Sequence, residues 1–192
     1  MPNGRITAFS DGVIAILITI MVLDLKTPLG SSWHDLWNMK FNFLIYLVSF
    51  VVIAIYWNNH HHVFHLVTAV TGKILWCNMA LLLTLSFLPF STAWIARFPM
   101  QNAPEIVFGV NTLLVDLAFD FLTIEIFKQQ KLFTRFRDAK WSWKVIWSIV
   151  FVLLGIFITA LTHLNFVTMI AVIVSLAPWT IPDKQIEQNL NV

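Results

Sequence analysis

Charged side chains are scarce in this sequence. Only 11% of its 192 residues are Asp, Glu, Lys or Arg, whereas 58% are hydrophobic, and the mean hydropathy is +0.78. Soluble domains carry about 25% charged residues. The composition therefore predicts a protein that crosses the membrane several times and has little soluble mass. The net charge of +2 is too small to indicate a nucleic-acid partner.

Cysteines and the usual catalytic motifs are lacking as well. The single cysteine, Cys77, excludes an internal disulfide and a cysteine metal cluster. The sequence contains no nucleophile motif, no glycine-rich phosphate loop and no nucleotide motif, so we expect no enzymatic activity and no cofactor. It also lacks a re-entrant filter loop of the Thr-Val-Gly-Tyr-Gly type.

Long apolar runs are what the sequence does contain. They predict an all-α membrane protein in which residues 1–192 form a single domain of six transmembrane helices. Pro89 interrupts the third run and predicts a kink there. Trp33 and Trp37 suit the membrane interface, which favours a short amphipathic turn in the first connector. The approximate helix boundaries are 6–25, 41–65, 74–95, 105–127, 144–162 and 166–181.

The lysines and arginines predict the orientation. Six crossings put both termini on one side, and cytoplasmic loops carry an excess of basic residues. With the N-terminus in the cytoplasm, only three basic residues lie outside, namely Lys26, Lys40 and Arg97. The other nine lie inside, namely Arg5, Lys73, Lys128, Lys131, Arg135, Arg137, Lys140, Lys144 and Lys184. We therefore expect cytoplasmic termini, with the basic connector 128–144 as a topology signal and a contact for anionic lipid.

The first helix begins with polar residues that are costly at the edge of a membrane. Arg5, Ser10 and Asp11 precede an apolar stretch in which Thr19 is the one polar residue. A carboxylate at this depth costs a few kcal/mol or more unless it is paired, so it is a candidate for function. Such a residue also needs a partner, and Arg5 and Ser10 are the nearest in the sequence.

One face of the same helix is aliphatic. At 100° per residue, Ile16, Ile20 and Leu23 fall within about 60° of one another, with Thr19 at the margin. Asp11 lies about 140° from Ile16 around the helix. The helix therefore has one bare aliphatic face and another that carries the carboxylate.

The pattern Arg-x-x-x-Phe-Ser-Asp, here Arg5, Phe9, Ser10 and Asp11, resembles the signature of the transmembrane protein 175 family of potassium-permeable channels, in its bacterial form. The resemblance implies a homotetramer in the bacterial inner membrane, in which the first helix of each subunit lines a pore for potassium ions. It also implies a hydrophobic gate and a position linked to ion preference. The implied gate residues are Ile16, Ile20 and Leu23, and the implied ion-preference residue is Thr19.

Any pore in such a protein has to lie between subunits. Six short helices cannot easily enclose a path for ions, but rotational symmetry would surround an axis with copies of one helix. A ring of aliphatic side chains there would block ions by dewetting, and a ring of Thr19 hydroxyls would give only modest selectivity. Simpler interpretations stay open, because an aliphatic stripe also suits packing or lipid contact, and a threonine hydroxyl often bonds back to its own helix.

The motif residues are expected to hold the first helix in place. Asp11 points away from the aliphatic face. We therefore expect it to tie this helix to its neighbours rather than to contact a permeating ion. Polar residues at the end of the second helix lie at a similar depth. We predict a hydrogen-bond network of Arg5, Phe9, Ser10, Asp11, Trp57 and a histidine, taken as His61, although the sequence does not decide which histidine of 60–65 takes part.

The histidine run also raises the question of a metal site. His61 and His65 share a helix face at i, i+4, which is a spacing found in metal sites. No cysteine accompanies them and no glutamate falls between them. We therefore predict no metal site, and interfacial or structural histidines instead.

The fourth predicted helix suggests a different function. Asp116 and Asp120 stack at i, i+4, which is unfavourable for like charges unless a proton or a cation intervenes. A small proton- or cation-coupled secondary transporter would use such a pair. Transporters, however, normally show paired repeats and broken helices, and this sequence shows neither. The two acids are equally compatible with hydrogen bonds to neighbouring helices.

Overall fold

A computed structural model describes residues 3–129 and 139–180, except for the side chains of 139–142, and every regular element in these ranges is helical. The predicted all-α architecture is therefore confirmed. The α-helices are α1 (Gly4–Leu23), α2 (Trp33–Asn38), α3 (Lys40–His65), α4 (Gly72–Ser86), α5 (Leu88–Arg97), α6 (Asn102–Gln129), α7 (Ala139–Thr162) and α8 (Val167–Leu176). A 3-10 helix, Ala177–Thr180, follows α8.

Five helical segments are long and apolar enough to cross a membrane. They are Gly4–Leu23, Lys40–His65, Gly72–Arg97, Asn102–Gln129 and Trp143–Thr162. The sixth predicted helix is shorter, with 10 residues in α8 and 4 in the 3-10 helix. Its length is about 23 Å, which is less than the hydrocarbon thickness of about 30 Å. The predicted end of this helix, at residue 181, lies outside the described residues, as do connector residues 130–138.

The third apolar segment is interrupted where Pro89 predicts a kink. Helix α4 ends at Ser86 and α5 begins at Leu88, so that Pro89 lies in the first turn of α5. A proline is tolerated there because the first N–H groups of a helix have no partner within it. The backbone nevertheless stays nearly continuous, since the Ser91 N–H donates to the Phe87 carbonyl at 3.0 Å.

The predicted interfacial turn is the six-residue helix α2. Its start is fixed by a capping box, in which the Asp35 N–H donates to the Ser32 hydroxyl and the Ser32 N–H donates to the Asp35 carboxylate. Hydrogen bonds from the Ser32 hydroxyl and N–H lower the pKa of the Asp35 carboxyl. Helix α2 buries none of its residues, and Trp33 and Trp37 are both exposed.

Long-range hydrogen bonds define the two ends of the bundle. At one end, the Asn3 amide donates to the Phe64 carbonyl at 2.7 Å, which joins the start of α1 to the end of α3. At the other end, the Asn42 amide donates to the Ala96 carbonyl at 3.0 Å, which joins the start of α3 to the end of α5. We call these the N-terminal end and the opposite end of the bundle.

Helices α6, α7 and α8 form the most closely packed part of the molecule. The buried Glu105 carboxylate accepts hydrogen bonds from the N–H groups of Phe166, at 2.9 Å, and Thr168, at 2.7 Å, so it caps the start of α8. Thr168 also exchanges a hydrogen bond of 2.8 Å with Thr159 of α7. The close approach of α7 and α8 requires Gly155, where an added Cβ would lie 2.4 Å from the Ala171 Cβ.

Gly155→Ala should therefore destabilise the protein. The added Cβ would also meet the Thr168 Cα at 3.1 Å, so relief requires a shift of the α8 backbone. We expect a loss of about 1–3 kcal/mol in the free energy of unfolding, measured by thermal unfolding of the purified protein in detergent. The matched control is Gly72→Ala, whose added Cβ would have no heavy atom within 4 Å. Equal stability of the two variants would contradict this account of the packing.

Candidate site on the first helix

Helix α1 has one buried face and one exposed face. Its buried residues recur every three or four positions, at Ile6, Ser10, Ile14, Leu17 and Met21. This spacing follows one side of an α-helix, and that side packs on α3, α4 and α5. The other side of α1 has no partner among the residues that the structure describes.

The predicted gate residues all lie on the exposed side of α1. Ile16 is 58% exposed, Ile20 is 41% exposed and Leu23 is 82% exposed in the single subunit. Thr19 is exposed on the same side, and its hydroxyl donates to the Ile16 carbonyl at 2.8 Å. Because the hydroxyl hydrogen is used within the helix, the oxygen lone pairs of Thr19 remain available as acceptors.

Ser10 belongs to a buried chain of hydrogen bonds across three helices. The Asn78 amide of α4 donates to the Ser10 hydroxyl at 2.9 Å, and the Ser10 hydroxyl donates to the Ile6 carbonyl at 2.9 Å. The Asn78 carbonyl oxygen lies 2.9 Å from Nε2 of His60 in α3. Since that oxygen can only accept, His60 carries its proton on Nε2. Ser10, Asn78 and His60 are all at most 1% exposed.

Asp11 contacts α3 through a different residue. The Trp57 indole N–H donates to the Asp11 carboxylate at 2.9 Å. The His61 ring stacks on Trp57 with 5.8 Å between ring centroids, and its Nε2 lies 3.0 Å from Nε2 of His65. The structure therefore brings together Asp11, Trp57 and His61.

Two residues of the predicted network lie apart from these contacts. The Arg5 side chain is exposed and makes no hydrogen bond or ion pair among the described residues, and Phe9 is 53% exposed. The histidine that hydrogen-bonds toward α1 is His60, through Asn78, whereas His61 reaches the group by ring stacking. Sequence reasoning missed Asn78, although an amide inside an apolar run is itself a signal of a buried polar contact.

The described histidines of α3 belong to no larger cluster of metal-ligating side chains. Residues 3–129 and 139–180 contain no group of three or more His, Cys, Asp or Glu side chains arranged to hold a metal ion. His61 and His65 form a pair only. The pair is exposed on α3.

The acids of α6 occupy a second polar cluster inside the subunit. The Tyr56 hydroxyl donates to one oxygen of Asp116, and the Ser148 hydroxyl donates to the other oxygen at 2.8 Å. Asp116 therefore joins α6 to α3 and α7. Asp120 lies one turn further along α6 and is 8% exposed. Both acids lie inside the subunit, away from the exposed face of α1.

These features define an all-helical, multi-pass membrane protein whose buried polar groups pair across helices and whose first helix keeps a bare aliphatic face. The model of the family described as endosomal/lysosomal potassium channel TMEM175 matches residues 5–89. A protein named potassium channel HX13_20290, from Chryseobacterium sp. (strain P1-3), is 41% identical over 99% of this chain and 98% of its own length. This chain belongs to the TMEM175 family, which is a family of ion channels and not of enzymes.

Two further comparisons support the same family. The protein named potassium channel B446_29190, from Streptomyces collinus, is 36% identical over 71% of this chain and 70% of its own length. The crystal structure of a lysosomal potassium-selective channel TMEM175 homolog from Chamaesiphon minutus matches 93% of this chain and 98% of that chain, with a TM-score of 0.66 and 24% identity. At 24% identity, the structural match supports the fold alone.

Asn78→Ala should break the buried chain between α1, α3 and α4. The change leaves Nε2 of His60 without its partner in a site that is 1% exposed. An unpaired buried donor costs about 1–3 kcal/mol, which should lower the melting temperature of the purified protein. Ser86→Ala is the control, because the Ser86 hydroxyl is exposed and donates only to its own helix. An unchanged melting temperature for Asn78→Ala would argue against this role.

Proposed function

We propose that this chain is the subunit of a potassium-permeable cation channel, in which four copies of α1 surround a common axis. The observation that carries the proposal is the aliphatic face of α1, which the described part of the subunit leaves bare although the opposite face is tightly packed. Membership of an ion-channel family supports a pore, and the names of the bacterial relatives support potassium as the permeant ion. The transporter alternative draws no support from these relatives.

In the proposed channel, aliphatic side chains close the pore. Ile16, Ile20 and Leu23 follow one another along the exposed face, so that fourfold symmetry would stack three aliphatic rings on the axis. Water leaves a narrow apolar constriction, and ions lose their hydration there, so current stops without any coordinating group. Opening then requires the rings to widen or rotate.

Thr19 is the proposed origin of a modest ion preference. Its hydroxyl group donates a hydrogen bond within α1, and Thr19 is exposed on the same side of the helix as Ile16. Four such oxygens would replace only part of the hydration shell of a potassium ion. Discrimination between cations should therefore be weaker than in a filter lined by backbone carbonyls.

The polar contacts at the start of α1 are proposed to set its rotation about its own axis. Ser10 is hydrogen-bonded to Asn78, and Asp11 is hydrogen-bonded to Trp57. Both bonds lie on the side of the helix that faces away from Ile16. The Asp11 carboxylate is then a positioning group and not an ion ligand. Replacement of Asp11 would affect assembly and stability before it affects ion preference.

The proposed setting is the bacterial inner membrane, with the N-terminal end of the bundle in the cytoplasm. With six crossings, nine of the twelve lysines and arginines of the sequence would fall on that side, six of them in 128–144, and cytoplasmic loops favour basic residues. Val167–Thr180 would be the sixth crossing. The Asn59 amide near the end of α3 donates to the Trp179 carbonyl at 3.2 Å, which supports a return of the chain toward the N-terminal end.

Ile16→Asn should raise potassium flux into liposomes that contain the purified protein. A polar side chain holds water in the constriction and lowers the barrier to ions, so the initial rate should rise several-fold above that of the wild type. Ile170→Asn is a matched control, because Ile170 of α8 is 56% exposed, close to the 58% of Ile16, but lies on another helix. An equal rise with Ile170→Asn would show leakage unrelated to a gate on α1.

The same assay separates a channel from a carrier. The double variant Asp116→Asn/Asp120→Asn should leave potassium flux nearly unchanged, because these residues lie away from the α1 face. Flux through a channel should also keep rising with potassium concentration, whereas carrier flux saturates. Flux that disappears with the double variant while Ile16→Asn has no effect would replace the channel by a carrier.

Cross-linking should report the proximity of α1 to its copies. In a Cys77→Ser background, Leu23→Cys should form disulfide-linked dimers on oxidation, because copies of Leu23 would meet near the axis. Leu161→Cys is the control at the same end of the bundle, where Leu161 of α7 is 65% exposed. Dimers from Leu161→Cys but not from Leu23→Cys would place a different helix at the subunit contact.

A further inference from the structure

A pair of acids lies inside each subunit, at a place that the proposed channel mechanism does not use. Asp116 and Asp120 are one turn apart on α6 and are 5% and 8% exposed. Residues at i, i+4 on a helix have their Cβ atoms about 5–6 Å apart. Two carboxylates at that distance in a low dielectric cannot both stay ionised without a compensating positive charge.

The hydrogen bonds of the two carboxyl groups are unequal. Both oxygens of Asp116 accept hydroxyl hydrogens, one from Tyr56 and one from Ser148. This is the pattern that suits an ionised carboxylate. Oδ1 of Asp120, in contrast, is buried and has no hydrogen-bond partner among the residues that the structure describes. An oxygen without a partner costs much less on a neutral carboxyl group than on a carboxylate.

A metal ion would fit this pair poorly. Hard cations in proteins take about six or more oxygen ligands. Here both oxygens of Asp116 are already hydrogen-bonded, and no third acidic side chain or histidine completes a site within the described residues. A proton needs no such ligand set.

The charged and titratable groups around Asp120 come from three helices. Helix α3 contributes Tyr56, and α6 itself contributes Asp116. Helix α7 contributes Lys144, which lies at the level of Asp120 because α6 and α7 are antiparallel and Ser148 meets Asp116. The Lys144 ammonium is 5.7 Å from the centre of the Trp179 ring and makes no hydrogen bond to Oδ1 of Asp120. The 3-10 helix contributes Trp179, which does not titrate.

The next titratable groups of α4 and α6 lie closer to the N-terminal end of the bundle than the pair does. Lys73 and Cys77 of α4 and Glu125 of α6 line one groove at that end. Glu125 also accepts a hydrogen bond from Gln129 at 2.6 Å. None of these three groups is a hydrogen-bond partner of Asp120.

We propose that Asp116 and Asp120 form a proton-binding site within each subunit, with Asp116 ionised and one proton held on Asp120. The site is separate from the α1 face, so the proposal stands whether or not α1 lines a pore. Loss of the proton would place two negative charges one turn apart between α3, α6 and α7. Because Tyr56 precedes Trp57 in α3, the resulting shift would act close to the contact that holds Asp11.

Infrared spectroscopy of the purified protein at about pH 7 tests the proposal directly. A protonated carboxyl group absorbs apart from the carboxylates of ordinary ionised acids, whose protons are lost well below that pH. We expect one protonated-carboxyl band in the wild type that is lost in Asp120→Asn. Asp24→Asn should keep the band, because Asp24 is exposed at the end of α1. A wild type without the band, or a band that persists in Asp120→Asn, would overturn the proposal.

The dependence of stability on pH gives a second readout. The folded protein keeps a proton that the unfolded chain releases, so the free energy of unfolding should fall as the pH rises. Between about pH 6 and about pH 9 the wild-type melting temperature should drop by about 5 °C or more relative to Asp120→Asn. The asparagine has the shape of a protonated aspartate, so this variant should fold.

Charge pairing with Lys144 predicts the opposite results. An ionised Asp120 paired with Lys144 would give no protonated band, and Asp120→Asn would lower the melting temperature at about pH 7. That outcome would reject the proton site. A pH titration of the wild type provides a measurement that needs no variant. If Asp120 holds the proton, the protonated-carboxyl band must lose intensity reversibly as the pH is raised.

Discussion

A polar side chain inside a membrane protein has to find its partner within the protein, because hydrocarbon offers none. This constraint explains several hydrogen bonds between helices in this subunit. Ser10 meets Asn78, Asn78 meets His60, Ser49 meets Thr92 at 2.8 Å, Thr159 meets Thr168, and Asp116 meets Tyr56 and Ser148. Each pair selects which helices are neighbours and at what height they meet. Oδ1 of Asp120 is the exception among the described residues, because it has no hydrogen-bond partner there, and the proposed proton would make that oxygen less costly to bury.

The same contacts decide the rotation of α1. Ser10 and Asp11 are adjacent in the sequence, yet they bind different partners, Asn78 of α4 and Trp57 of α3. Two bonds to two helices leave little freedom for the helix to turn about its axis. The aliphatic face with Ile16 must then point away from the subunit. Satisfying polar groups on one side of α1 thus determines the bare surface on the other side, which is the surface that the proposed pore requires.

Predictions that depend only on the sequence within a single segment agree well with the structure. The apolar runs predicted the long helices, Pro89 predicted the interruption between α4 and α5, and the two tryptophans predicted the helix α2. The last helix ends in a 3-10 turn, and its predicted end at residue 181 lies outside the described residues. Glu105 was not singled out from the sequence, since nothing in its local pattern shows that its carboxylate caps a helix 61 residues later.

The sequence by itself determined that this is an all-helical membrane protein whose first helix has a polar start and one aliphatic face. Hydrophobic runs and their periodicity are properties of single helices, so they can be read without knowing the neighbours. Only the tertiary structure decided that His60 and not His61 hydrogen-bonds toward Ser10, and that Asn78 lies between them. It also decided that Asp116, but not Asp120, finds hydroxyl donors within residues 3–129 and 139–180. These partners are 18 to 68 residues apart in the chain. Their meeting depends on the relative height and rotation of packed helices, which no local pattern encodes.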